Sequence, residues 1–358
     1  MRRLIRNVLF SSDMSDKALG IAVYALMFFG LICTTSAGIS SNSNVSTTIS
    51  DFLRNLIIVF VGIVVYHFCS NTFKIEKFTL SVMNWIVWGE LVLLLSAWIL
   101  CRFVFGAINS NYSWISIPGI PFSIQPSEFA KVVMILVVAV YLCDHKFRKI
   151  KSSFTIMWRP LLILLLYCVV IFALQKDNGS ALVVFILSAL VLLIPSNRLL
   201  RVWQWLVLLG GVGLIFVYVY FMSESGQAFL TRIGFAHIAA RFEAVKNPSY
   251  TSDATREIFY SLLGISKGNW FGVGLGDSVQ KFGYLVSSDA DYIFAIIAEE
   301  LGLVGIGLVF LLYGIIIFRL VHFSRLVNKE SDKVILMGTV FYLFIHFFFT
   351  KCEIIITI

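Results

Sequence analysis

Apolar stretches long enough to cross a bilayer recur about nine times along this 358-residue chain, near 18–36, 53–69, 79–104, 128–143, 155–174, 180–195, 203–222, 291–319 and 334–350. At a rise of about 1.5 Å per residue, about 20 apolar residues cover the hydrocarbon core. In lipid every backbone amide must find its partner within the chain, so such runs become helices. The short alternating strands of a β-barrel are not visible. Composition agrees, with 59% hydrophobic and 13% charged residues and a mean hydropathy of +0.90, far from soluble domains. The sequence predicts an all-α polytopic membrane protein of about nine transmembrane helices. With no internal repeat or soluble segment visible, a single membrane domain over 1–358 is expected.

A net charge of +8 is of the sign that nucleic acid attracts, but its distribution points to topology. Arg2, Arg3, Arg6 and Lys17 precede the first run, and Lys74 and Lys77 follow the second. Lys146, Arg148, Lys149 and Lys151 follow the fourth, Arg198 and Arg201 the sixth, and Arg319, Arg325, Lys329 and Lys333 the eighth. The alternate connections, 37–51 and 105–127, contain no Lys or Arg. By the positive-inside rule the N-terminus is cytoplasmic. Anionic lipid, not nucleic acid, is the partner this charge implies.

The first run ends in TTSAG, which imitates a signal-peptidase site. The long charged leader and the many later spans argue that it is retained. Six cysteines stand singly in or beside the spans, with no C-x-x-C pair, and the five histidines are scattered. Neither a disulfide framework nor a zinc site is indicated.

One connection is long. Residues 223–290 form a large extracytoplasmic loop by this topology, and loops of that length are usually functional. In GFAHIAARFEAVKNP, Phe235, Ile238, Phe242 and Val245 share one helical stripe and His237 and Arg241 another, as in a helix lying on the membrane. Further on, glycines at 268, 272, 274 and 276 fit neither a Walker A loop nor G-x-G-x-x-G. They suit a turn needing positive φ, or a backbone approached closely by a lipid-linked substrate, with Lys281 nearby to meet phosphate.

The eighth run carries carboxylates where each is costly unless paired, hydrated or protonated. Asp291, Ala295, Ala298, Gly302 and Gly305 fall on one face, which admits another helix or a lipid tail. Glu299 and Glu300 lie about 12 Å deeper along the axis. They need a cation, a donor or a proton, and are read as structural, holding helices in register. Lys131 is a candidate cation, although Glu128, three residues before it, offers a local pair; Arg102 and Arg159 also sit at span ends. Asp291 and Asp289 stand at the start of the run, where an aspartate caps a helix or acts as a general base.

Five ordered stretches carry a resemblance: FSIQPSEFAK (122–131), QKDNGSALV (175–183), RFEAVKNP (241–248), FGVGLGDSVQKFGYL (271–285) and DYIFAIIAEELGLVG (291–305). Over roughly residues 10–345 the chain resembles the SEDS family, the FtsW/RodA/SpoVE group, and its glycine-rich stretch is most similar to the FtsW branch of Gram-positive type. The resemblance implies a ten-span peptidoglycan glycosyltransferase of the plasma membrane, placed at the division septum. It would polymerise lipid II with inversion, release undecaprenyl pyrophosphate, and work with a class B penicillin-binding protein and other divisome proteins. It also implies that Asp291 is the catalytic acid-base residue and that Arg241, Lys281, Gln125, Glu128, Lys131 and Asp177 bind substrate. A divalent cation, magnesium or manganese, is admitted as cofactor.

Two other functions fit the same residues, a lipid II flippase and a non-catalytic scaffold for the transpeptidase. Departures from the family pattern bear on this choice. Lys176 and Asn178 replace the proline and leucine of Q-P-D-L-G-T, leaving Asp177 and Gly179. His346 and Thr350 replace a glutamine and an asparagine, and the P-F-I-S-Y-G-G-S-S segment and tenth span are missing. The chain is therefore expected to be a shortened member whose uncovered helix faces threaten stability and activity.

Overall fold

The computed structural model describes residues 16–39, 45–72, 78–105, 112–116, 123–143, 152–232, 234, 239, 242, 253–285 and 292–351. It is predominantly helical, with α1 (Lys17–Ala37), α2 (Val45–Thr72), α3 (Leu80–Leu100), α4 (Pro126–Val137), α5 (Ser153–Val169), α6 (Asn178–Leu192), α7 (Arg201–Met222), α8 (Glu224–Arg232), α9 (Asp253–Gly268), α10 (Ile293–Leu326) and α11 (Glu330–Lys351). Every apolar run falls on a helix. Among the described residues, six helices are by length and composition able to cross a membrane: α1, α2, α3, α5, α7 and α10, with short extensions of some.

Helix starts follow local chemistry. Asp16 Oδ1 accepts the N–H of Ala18 at 2.8 Å at the head of α1, Thr79 caps α3, and α4 begins with Pro126, whose missing N–H is no loss there. Two features were not legible. The helices α3, α4 and α5 each end in a π-helical turn, at Cys101–Phe105, Val138–Leu142 and Val170–Leu174. Although no strands were expected, two short ones, β1 (Ile115–Ser116) and β2 (Ser123–Ile124), pair antiparallel in the third connection.

The chain forms two compact units: Met1–Val65, Leu209–Ile316 and His346–Ile358 in one, Tyr66–Leu208 and Ile317–Ile345 in the other. In the second, α3, α4, α5 and α6 enclose Met83, Leu94, Val137, Tyr167, Ile171 and Val184. A further layer joins Ile135, Leu187, Val191 and Leu200 to Val334 and Ile345 of α11. A Cβ at Gly338 would meet Ile135 and Val191, so this glycine lets α11 approach closely. In lipid such fit, not hydrophobic transfer, holds helices together.

In the first unit, Ala37, Leu285, Ala295 and Ile296 form one core with Tyr260, Leu262 and Ile265 of α9. Phe294, Val309 and Phe347 form another. The helix anticipated over 235–247 lies almost wholly outside the described residues. Instead α9 emerges within the long loop, ending at Gly268.

Candidate functional site

The centre of the first unit is a broken helix. Gly302 has φ 65° and ψ −158°, so α10 is interrupted there, a conformation open to glycine and barred to most residues. A break inside a membrane helix frees backbone groups that must be satisfied by protein. The glycine-rich loop does this. Val273 and Gly274 donate to the carbonyls of Glu299 and Glu300 at 2.9 and 3.0 Å, and Leu303 and Val304 donate to the carbonyls of Asn269 and Trp270 at 3.0 and 3.1 Å.

The glycines allow this contact. Gly272, Gly274 and Gly276 have positive φ, and a Cβ at Gly268 or Gly272 would strike the carbonyl oxygens of Ala298 and Glu300. The small-residue face of α10 thus receives this loop in the Ala298–Gly302 region. Both properties considered for the glycines, positive φ and close approach, are used, and what approaches is the chain's own helix.

The paired glutamates secure the next stretch of the loop. Lys281 Nζ lies 2.9 Å from Glu300 Oε1 and 3.2 Å from the Ser36 carbonyl, while Ser36 Oγ donates to the other Glu300 oxygen. The Lys281 and Glu300 side chains are 0% and 3% exposed. Glu299 accepts from Ser278 Oγ and from the N–H groups of Val279 and Gln280, each at 3.3 Å. The cation serving Glu300 is therefore Lys281 and not Lys131, and the Lys281 ammonium is buried in that pair.

Asp291 and Arg241 lie outside the described residues. Tyr292, next to Asp291, opens α10: its carbonyl accepts the N–H of Ala295 at 3.0 Å and of Ile296 at 3.3 Å. The glutamate-anchored loop and this first turn frame the chain on either side of 286–291.

The remaining candidates belong to the second unit. Asp177 caps α6, accepting Ser180 N–H at 3.0 Å, while Gln125 Nε2 donates to Asp177 Oδ2 at 2.8 Å and to Ser180 Oγ at 3.1 Å. Gln175 is fully buried, with Nε2 on the Leu94 carbonyl at 2.8 Å. Lys176 takes φ 59°, a path closed to proline, whose φ is fixed near −65°. Its ammonium lies 5.8 Å from the Tyr112 ring centre, and Arg102 Nη1 donates to the Tyr112 hydroxyl at 2.9 Å.

Glu128 and Lys131 pair at 2.7 Å, and Tyr342 donates to the second Glu128 oxygen at 3.3 Å. Lys131 is buried, whereas the Glu128 side chain keeps 34% of its surface. The structure thus brings Gln125, Asp177 and Ser180 together, and separately Glu128, Lys131 and Tyr342. Ser180 and Tyr342 were missed by sequence reasoning. Ser180 follows from N-cap spacing, while nothing local marks Tyr342. Among the described residues no three His, Cys, Asp or Glu side chains come together as a metal site.

Apolar helices long enough to span a membrane, one of them broken and rejoined through a glycine loop, define a polytopic helical membrane protein. A family model described as "Cell cycle protein", FtsW/RodA/SpoVE, matches residues 17–356, and the chain belongs to this family. It is 31% identical over 337 residues to the probable peptidoglycan glycosyltransferase FtsW of Bacillus subtilis, covering 90% of this chain and 77% of that protein. The protein of the same description in Haemophilus influenzae is 29% identical over 340 residues, 93% and 79% of the two chains.

Two solved structures share the fold. One is a chain from a study of how a peptidoglycan synthase complex coordinates polymerization and crosslinking, with TM-score 0.64, 19% identity, and 94% and 86% coverage of this chain and that one. The other is a mutant of the rod shape determining protein RodA of Thermus thermophilus, with TM-score 0.55, 20% identity, and 92% and 82% coverage.

Proposed function

We propose that this protein is a peptidoglycan glycosyltransferase that polymerises lipid II in cell wall synthesis. The observation that carries the reading is membership of the family over residues 17–356, joined to a relative of that described activity at 31% identity. The reaction makes one bond and breaks another. A sugar 4-hydroxyl attacks the anomeric carbon of a second lipid-linked sugar, and the bond from that carbon to pyrophosphate breaks. Undecaprenyl pyrophosphate leaves with its electron pair, and a single displacement inverts the anomeric centre.

Asp291, at the entrance to α10, accepts the hydroxyl proton as general base. Arg241 offsets charge on the departing pyrophosphate. Lys281 supports them indirectly, because its ammonium is held by Glu300 and fixes the loop before Asp291. Gln125, Asp177, Glu128 and Lys131 are the further substrate-binding residues of this reading, held in two hydrogen-bonded groups. For magnesium or manganese the described residues offer no three-ligand set, and Glu299, Glu300 and Asp177 are already engaged.

The partner is a class B penicillin-binding protein that crosslinks the new strand, within the divisome at the septal plasma membrane. A flippase would leave helix-break groups open to its cargo, whereas those of α10 described here are taken up by the loop. The test is reconstituted protein given labelled lipid II. Glycan chains from the wild type and none from Asp291→Asn support the assignment. Lipid movement without polymer, or polymer undiminished by Asp291→Asn, refutes it.

A further inference from the structure

A second site, sharing no residue with those assigned to polymerisation, lies in the unit built on α3 to α6. A cleft of about 230 Å³ opens between α3, the end of α4, and α5. Its polar lining is Asn84, the Tyr141 hydroxyl and Arg159; its apolar lining includes Leu91, Leu162 and Leu166. Trp88 and Trp158 flank it, 60% and 42% exposed.

Arg159 makes the cleft unusual. It is exposed on the outside of an apolar helix, and among the described residues no carboxylate pairs with it. The Trp158 ring centre lies 5.5 Å from its guanidinium. A cation on a lipid-facing surface is costly unless it reaches the headgroup zone or meets an anion. Depth argues for the headgroup zone. Arg159 is about 9 Å along α5 from Ser153, and Asn84 about 6 Å along α3 from Leu80. Both helices follow basic connections, Lys146 to Lys151 and Lys74 to Lys77, which places these ends at the cytoplasmic face.

The polar mouth is preorganised. Tyr141 donates its hydroxyl to Asn84 Oδ1, which leaves the Asn84 amide N–H groups as donors beside Arg159. Tyr167, behind them, donates to the Val87 carbonyl at 2.9 Å. Below this polar mouth the walls are leucine and tryptophan. The volume falls short of the about 300–1,000 Å³ of pockets that enclose whole drug-sized ligands. It suits part of one acyl chain, with the headgroup outside.

We propose that this cleft binds an anionic phospholipid of the cytoplasmic leaflet. Arg159 and the Asn84 amide hold its phosphodiester, the tryptophans bracket the glycerol level, and one acyl chain enters between Leu91, Leu162 and Leu166. Charge complementarity selects this occupant, because cytoplasmic-leaflet lipids are rich in anionic headgroups and the mouth presents donors and a cation only.

Purified protein is equilibrated with a mixture of phosphatidylglycerol and phosphatidylcholine, and the lipid retained is read by native mass spectrometry. The wild type retains phosphatidylglycerol preferentially. Arg159→Gln weakens that retention about five- to tenfold, and Arg159→Lys keeps most of it, which separates charge from folding. Leu162→Trp, which narrows the cleft and leaves the charge, also lowers retention. Equal retention of the two lipids by the wild type overturns the proposal, as does undiminished phosphatidylglycerol on Arg159→Gln. A photoreactive side chain at 162 that captures polypeptide rather than lipid in native membranes overturns it too.

Discussion

Lys281 and Glu300 are joined by a 2.9 Å ion pair that ties the glycine-rich loop to the interior of α10, with both side chains almost wholly buried. Removing either partner alone leaves a buried charge without compensation, which typically costs about 3–5 kcal/mol. Lys281→Met and Glu300→Leu should each lower thermal stability strongly in detergent. The double substitution should recover much of the loss. Single variants as stable as the wild type would contradict this account of the loop.

Gly302 is tested by position. Alanine there incurs the strain of φ 65° and brings its Cβ against Trp270 and Gly272. The strain alone is about 1–3 kcal/mol. Gly302→Ala should open the 268–274 segment to protease, whereas Gly307→Ala, which meets nothing within 4 Å on the same helix, should not. Equal digestion of the two variants would show that the break is not held by this loop.

For Asp177 a smaller effect is expected. It caps α6 and receives Gln125, so Asp177→Ala should cost about 0.5–2 kcal/mol for the cap. Asp177→Asn should retain most of the capping but unsettle the Gln125 contact, because an amide offers one acceptor oxygen. Melting curves of the two variants should therefore separate, alanine lower.

Arg241 and Lys281 can be told apart by two readouts. Arg241→Gln should reduce glycan synthesis by about 10²–10³-fold, the scale of a lost donor to developing charge, with the melting temperature unchanged. Lys281→Met should lower the melting temperature first. If Arg241→Gln leaves polymer yield intact, Arg241 does not face the pyrophosphate.

How much was visible in the sequence depended on the range of each interaction. Apolar runs became helices because lipid leaves the backbone no other partner. The Glu128–Lys131 pair was legible because three residues on a helix are neighbours. The pair that matters most in the loop joins positions 19 apart across a turn, and no helical periodicity announces it. Gly302 read as one more small residue on a packing stripe; only its backbone conformation reveals the break. Likewise α9 was hidden, since its apolar positions lie within a stretch dominated to the eye by the glycines that follow. Lys176, which stands where the resemblance places a proline, has a φ of 59° that proline cannot adopt, which residue identity alone does not disclose.

The seam at Gly302 is sewn from peptide groups alone, with Asn269, Trp270, Val273 and Gly274 contributing main-chain atoms. Its strength is therefore indifferent to the side chains of Trp270 and Val273, while Asn269, at φ 48°, sits in the left-handed region that asparagine tolerates. Trp270 projects outward, 69% exposed, so that surface can be redressed for a different neighbour without loosening the joint beneath, as long as glycine stays at 268, 272, 274 and 302.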